Sequence, residues 1–172
     1  MAHKNKAKRV HAFGNDVLGE RDATALAHLI KRREVSALEV AKAAVERAER
    51  VNTALHAVEL PTYEQALRDA VNPPAAGIFA GVPTFIKDNA DVSGLPTRTG
   101  TRATKGHTAK KHGDFTAQFI RQGFTVLGKT TMPEFGFNAS TEFLLDEPTH
   151  NPWNTDFSSG GSSGGSAAMV AA

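Results

Sequence analysis

From Ser158 to Ser166 the chain uses only two residue types, Ser-Ser-Gly-Gly-Ser-Ser-Gly-Gly-Ser, and then runs uncharged through Ala167-Ala-Met-Val-Ala-Ala172. A stretch with so little side chain can be a flexible linker, for which Gly/Ser is the usual composition. It can also be backbone pressed against something else, which glycine alone permits. A linker would join polar ends, whereas this tract joins Asn151-Pro-Trp-Asn154, which holds the only tryptophan, to an apolar helix start. Glycines packed around hydroxyls at a helix N-terminus expose N–H donors and give a seat for an oxygen nucleophile or an anion. On the residues alone, a phosphate or anion loop and a serine hydrolase loop stand about even. The closing apolar run reads as the opening turns of a buried helix, not as a frayed polar terminus, so the chain is expected to be a fragment.

Composition narrows the chemistry further. With 172 residues, 40% hydrophobic and 22% charged, the balance is that of a soluble globular chain. There is no cysteine, which removes disulfides, Cys-ligated metals and thiol catalysis, so a nucleophile must be oxygen or nitrogen. A net charge of +2 is too small to announce a nucleic-acid or membrane surface. The basic surplus sits in the first fifty residues, beginning with Met1-Ala-His-Lys-Asn-Lys-Ala-Lys-Arg9, a polar arm that lacks the apolar core of a signal peptide and reads as a loose solvated tail. No apolar run reaches the roughly 18 residues of a membrane span.

The pattern predicts a basic arm over 1–20 and one domain over 21–172, divided into a helical part (21–72), a linker (72–77) and an α/β part (77–172). Ala25, Leu26, Leu29 and Ile30 recur at helical spacing behind Asp22, a candidate N-cap. Ser36-Ala-Leu-Glu39 reads as a capping box that opens a second helix running to about Asn52. Strand character is expected over Thr53–Leu60 and a third helix over Thr62–Val71. Beyond the Pro-rich linker, Val82–Ile86 reads as a strand ending at Lys87-Asp88-Asn89. Asp114 is taken to cap a helix bearing Phe115, Phe119 and Ile120 that Gly123 stops, and Phe124–Leu127 reads as a buried strand. Strand, helix, strand in that order implies an α/β layer with parallel pairing.

Two motif tests come out against cofactor chemistry. Gly123-Phe-Thr-Val-Leu-Gly128-Lys129-Thr130 matches a phosphate loop letter for letter. That loop needs a strand before its first glycine and a helix after its threonine, whereas here the strand falls between the glycines and Pro133 follows closely. The seven histidines share no i, i+4 spacing around an acid, so no metal is expected. Asp88 and Asp91 sit on one turn without an acidic partner that the sequence identifies.

Taken together, Gly77-Ile-Phe-Ala-Gly-Val-Pro-Thr-Phe-Ile-Lys87-Asp88-Asn89, Gly128-Lys129-Thr130-Thr-Met-Pro-Glu134-Phe, Asn151-Pro-Trp-Asn154 and Gly160-Gly-Ser-Ser-Gly-Gly-Ser166 resemble the successive blocks of the amidase signature family, in the family's order and spacing over about residues 77–172. The helices before them resemble the family's N-terminal pair. The resemblance implies an α/β fold with a mixed central sheet flanked by helices, present as an incomplete N-terminal portion. It implies a Ser–cisSer–Lys triad in which Lys87 is the lysine and Ser162 the bridging serine behind a cis peptide bond. A lysine serves as base only when uncharged, and burial at the end of an apolar strand favours that form. Ser163 and Asp88 are expected to support the site. Gly136, Phe137 and Asn138 resemble a segment lining the acyl side of the pocket, with core packing the plainer reading of Phe137. The family's acylated serine lies about two dozen residues past the position of Ser162, together with the oxyanion-hole block, so both are expected beyond Ala172 and the 172 residues alone are expected to be inactive.

The activity implied is hydrolysis of a carboxamide through an acyl-enzyme. The alternative is a glutamine-hydrolysing component of an amidotransferase that works with a tRNA-linked partner, and a nucleotide-binding module at Gly123–Thr130 is the non-enzymatic one. The expected partner is a small-molecule amide, with a homodimer left open; no cofactor, nucleic acid or membrane is expected, and the expected location is the cytoplasm.

Overall fold

A computed structural model of the chain describes residues 8–74, 76–103 and 106–172. Residues 1–7 of the basic arm and Ala75 of the linker therefore lie outside the described residues.

Helix α1 (Ala23–Lys31) starts where Asp22 accepts a hydrogen bond from the amide of Ala25 at 2.8 Å. Helix α2 (Ala37–Leu55) opens on the expected capping box: Ser36 Oγ accepts from the Glu39 amide at 3.1 Å and Glu39 Oε2 accepts from the Ser36 amide at 2.8 Å. Such caps contribute about 1 kcal/mol each by satisfying amides that the first turn leaves open.

The expected strand over Thr53–Leu60 is shorter, because α2 continues through Leu55. Val51 and Leu55 lie one turn apart and bury together with Ala12, Ala57 and Ala168, so ending the helix at Asn52 would expose that face. The helix stops where His56 takes a left-handed conformation (φ 48°), and the Asn52 side chain accepts from the amides of Ala57 and Val58. Strand β1 (Val58–Pro61) and helix α3 (Tyr63–Val71) follow.

Three clusters along α2 make it the spine of the fold. Val40 and Ala43 pack with Leu18, Leu26 and Val82, Val45 packs with Ala66 and Leu127, and the Val51–Leu55 end meets the C-terminal helix. The remaining elements are β2 (Pro83–Lys87), β3 (Pro96–Thr97), β4 (His107–Thr108), α4 (Asp114–Ile120), β5 (Thr125–Thr130), β6 (His150–Asn151), β7 (Asn154–Ser158) and α5 (Gly164–Ala171).

The main sheet runs β1-β5-β2. Strand β5 is parallel to β2, as the strand-helix-strand order requires, and antiparallel to β1, so the sheet is mixed. Gly113, not Asp114, is the N-cap of α4; Asp114 is the first helical residue, where a carboxylate favours the positive end of the helix dipole. Phe119 stacks on Phe124 at 4.7 Å and Phe124 on Phe79 at 4.7 Å, fastening α4 to the strand that follows it. Phe115, read as part of that face, is largely exposed.

The loose-tail expectation fails for the described part of the arm. Val10 donates to Pro152 O, Ala12 donates to Ala172 O, and the Arg9 guanidinium sits 4.4 Å from the centre of the Trp153 ring. No helix among the described residues is long and apolar enough to cross a membrane.

Candidate active site

Two segments far apart in sequence converge here. Strand β2 ends on Lys87, whose neighbour Ile86 is buried in the sheet, and the Gly/Ser tract turns from β7 into α5 directly opposite. Lys87 Nζ lies 2.7 Å from Ser162 Oγ and 3.1 Å from Ser163 Oγ. The Gly161–Ser162 peptide bond is cis. Lys87 is half-buried, and loss of water around its ammonium pushes its pKa below the ordinary value. An amine held in that way against two hydroxyls can give up its proton near neutral pH more readily than a surface lysine and then accept one from Ser162.

The glycines of the tract are there because backbone must pass where a side chain could not. A Cβ on Gly164 would stand 2.2 Å from Thr141 Oγ1, and one on Gly165 would stand 2.4 Å from Thr131 Oγ1 and 2.5 Å from Ala57 O. The first turn of α5 is thus wedged against Thr131 and Thr141, with the Gly165 amide donating to Thr131 O. Gly165→Ala is expected to lower stability by about 1–3 kcal/mol through overpacking. A thermal midpoint unchanged from wild type would show that the wedge is loose.

Two further hydroxyl contacts hold the tract, and neither was visible in the sequence. Thr141 Oγ1 donates to Gly160 O at 2.7 Å, and Thr130 Oγ1 lies 2.7 Å from Ser166 Oγ.

Asp88 is fully buried and does not face the serines. Its Oδ1 is 2.7 Å from the buried Lys129 Nζ, and its Oδ2 accepts from the Arg98 amide. Lys129 Nζ also donates to Pro96 O and Thr97 Oγ1. The phosphate-loop alternative loses its premise at this point, because Gly128-Lys129-Thr130 is the second half of β5 and its lysine is enclosed in an ion pair.

Gly136 lies beside the site: a Cβ there would be 3.9 Å from Ser162 Oγ. The Asn138 carbonyl faces Gly161, where a Cβ would come within 2.6 Å of it. Phe137 is 92% exposed, which corrects its reading as core.

A cavity of about 750 Å³ bordered by His56, Glu59, Arg98 and Glu147 includes neither Lys87 nor Ser162. Although no histidine spacing suggested a metal site, ligand atoms of His56, Glu147 and His150 come together within 4.8 Å of one another. Those residues come from the end of α2 and from the segment leading into β6, so spacing along one helix could not reveal them.

The family model described as Amidase matches residues 39–172. The AmiC protein of Mycobacterium leprae is 46% identical over 165 residues, covering 96% of this chain and 35% of its own length. A subunit of the glutamyl-tRNA(Gln) amidotransferase of Gloeobacter violaceus is 40% identical over 150 residues, covering 83% of this chain and 31% of its own. The solved structure of 6-aminohexanoate cyclic dimer hydrolase complexed with substrate superposes with a TM-score of 0.80 at 39% identity, over 88% of this chain and 32% of that one. The chain spans about a third of the length of the curated relatives it matches.

Proposed function

The chain belongs to the amidase family, and from that premise we propose that the complete protein hydrolyses a carboxamide C–N bond through a serine acyl-enzyme, with Lys87 as base and Ser162 as proton relay. The observation that carries this reading is the 2.7 Å contact between Lys87 Nζ and Ser162 Oγ, made by an amine whose burial favours its neutral form. In the proposed sequence, the hydroxyl of a third residue, a serine outside these 172 residues, attacks the amide carbon and passes its proton to Ser162 Oγ. Ser162 passes its own proton to Lys87 Nζ. The proton then returns along the same path to the departing nitrogen, which leaves as ammonia or an amine, and water releases the acyl group by the reverse relay.

Ser163 holds the resting lysine through its second contact, and Gly136 with the exposed Phe137 borders the acyl side. Asp88 supports the site from behind the strand. The substrate is a small amide, taken up without a cofactor. The similarity to 6-aminohexanoate cyclic dimer hydrolase, a protein named for the hydrolysis of a small cyclic molecule, supports this class.

The test is an assay of amine or ammonia release from a small acyl amide. The complete protein is expected to turn over and the 172 residues alone are not; turnover by the 172 residues alone would overturn the triad assignment. The complete protein's kcat/KM is expected to rise with pH through the lowered Lys87 pKa and to level off before the ordinary lysine value of 10.5. The sign for stability is the same. Between the folded and unfolded pKa values the unfolded chain holds the extra proton, so stability rises with pH across that window and falls as pH drops through the folded value. A kcat/KM with no rising limb at any pH below 10.5 would remove lysine as the base.

A second reading has one observation in its favour, the 40% identity to a glutamyl-tRNA(Gln) amidotransferase component. In that reading the same site hydrolyses glutamine for a tRNA-linked partner. Co-purification with other subunits and a strict preference for glutamine distinguish it.

A further inference from the structure

We propose that His56, Glu147 and His150 form a site for a divalent transition-metal ion of the zinc class, separate from the Lys87–Ser162 pair, which clamps the end of α2 to the segment entering β6. Two imidazoles and one carboxylate are a donor set that suits zinc, with a fourth position left for water. Their ligand atoms lie within 4.8 Å of one another. Donors on a tetrahedral ion stand about 3.4 Å apart, so the three need close only by the reach of ordinary side-chain torsions. The two rings are already convergent, with centroids 6.0 Å apart and planes at 58°.

The backbone beneath the two histidines is held by hydrogen bonds, which turns a chance proximity into a frame. His56 is set by the left-handed end of α2, its amide donating to Asn52 O at 2.9 Å. Its carbonyl accepts from Thr149 Oγ1 at 2.9 Å, and Thr149 directly precedes His150. Thr149 is fully buried, its hydroxyl accepts from Thr131 Oγ1 at 2.7 Å, and Thr131 Oγ1 also lies 3.2 Å from Ala57 O. The Thr149 amide donates to Thr141 O, and its carbonyl accepts from the Ser159 amide. One buried threonine thus ties the strand that carries His150 to the carbonyl of His56. Glu147 stands three residues before His150, with Pro148 between them restricting the chain.

Charge points the same way. Around the neighbouring cavity Arg98 is paired with Glu59 and Arg102 with Asp146, and among the described residues no ion pair engages Glu147. A carboxylate left beside two imidazoles, with both arginines of the cavity already paired, favours a cation. The cavity gives an ion a route in from solvent.

The experiment is titration of the tag-free, chelator-treated protein with zinc chloride and, in parallel, with cobalt chloride. One ion per chain is expected, with cobalt showing the intense visible bands of a four-coordinate site and zinc raising the thermal midpoint. Glu147→Gln should weaken binding at least about tenfold and His150→Ala about a hundredfold or more, with the rise in midpoint lost in both. Glu147 is exposed, so the Gln variant keeps the fold if His150→Ala does not; circular dichroism of each apo variant checks this. A stoichiometry far below one, or Glu147→Gln binding as tightly as wild type, would overturn the site.

Discussion

Lys87→Ala in the complete protein is expected to lower amide turnover by about 10³-fold or more while leaving the thermal midpoint close to wild type. Lys87 is only half-buried and its contacts are the two serine hydroxyls, so truncation removes the base without opening the core. Ser162→Ala should fall into the same range. The double variant should be no worse than the poorer single one, because the two groups move one proton and their effects are not additive. Lys87→Arg should not restore activity, since a guanidinium stays protonated and cannot accept. A Lys87→Ala enzyme within tenfold of wild type would refute the base assignment, and additive losses in the double variant would refute the relay.

The expectation that Lys87 and Ser162 share a site came from the resemblance of several linked blocks to one family, not from either residue's own surroundings. Lys87 ends an apolar strand, and Ser162 sits among glycines before an uncharged helix. Asp22 and the Ser36–Glu39 box, by contrast, were legible directly, because a cap is written within four residues. Less legible was whatever depends on what lies across the fold. Periodicity let α2 end early, because the buried partners of Leu55 are Ala12 and Ala168 at opposite ends of the chain. The strand read over Phe124–Leu127 runs on through Gly128-Lys129-Thr130, because β1 and β2 pair with it on either side. His56 and His150 meet through a threonine hydroxyl that no spacing rule reaches. Side-chain chemistry at short range can be read directly, whereas its partners at long range need the packing.

The pairing of Asp88 with Lys129 is the case where that difference carries the most energy. Lys129 is 0% exposed and Asp88 1%, and their atoms meet at 2.7 Å. A buried ion pair contributes little beyond a well-packed apolar pair, but removing one partner leaves an uncompensated charge in the interior. Asp88→Asn keeps the shape and the acceptor for the Arg98 amide yet strips the charge opposite Lys129, so it is expected to destabilise the protein by about 3–5 kcal/mol. The Asp88→Leu/Lys129→Met double variant should recover most of that loss, because neither charge is then stranded. The consequence reaches the active site through one peptide unit. The Asp88 amide donates to Thr130 O and its carbonyl accepts from the Thr99 amide, which fixes the strand end where Lys87 projects. The double variant keeps those backbone bonds but loses the grip of the Asp88 carboxylate on Lys129 and on the Arg98 amide, so it is expected to bind substrate normally and turn over more slowly. Urea unfolding of both variants, followed by kcat and KM of the double, separates the two effects. An Asp88→Asn protein within about 1 kcal/mol of wild type would mean that the Lys129 ammonium is satisfied by Pro96 O and Thr97 Oγ1 without its carboxylate.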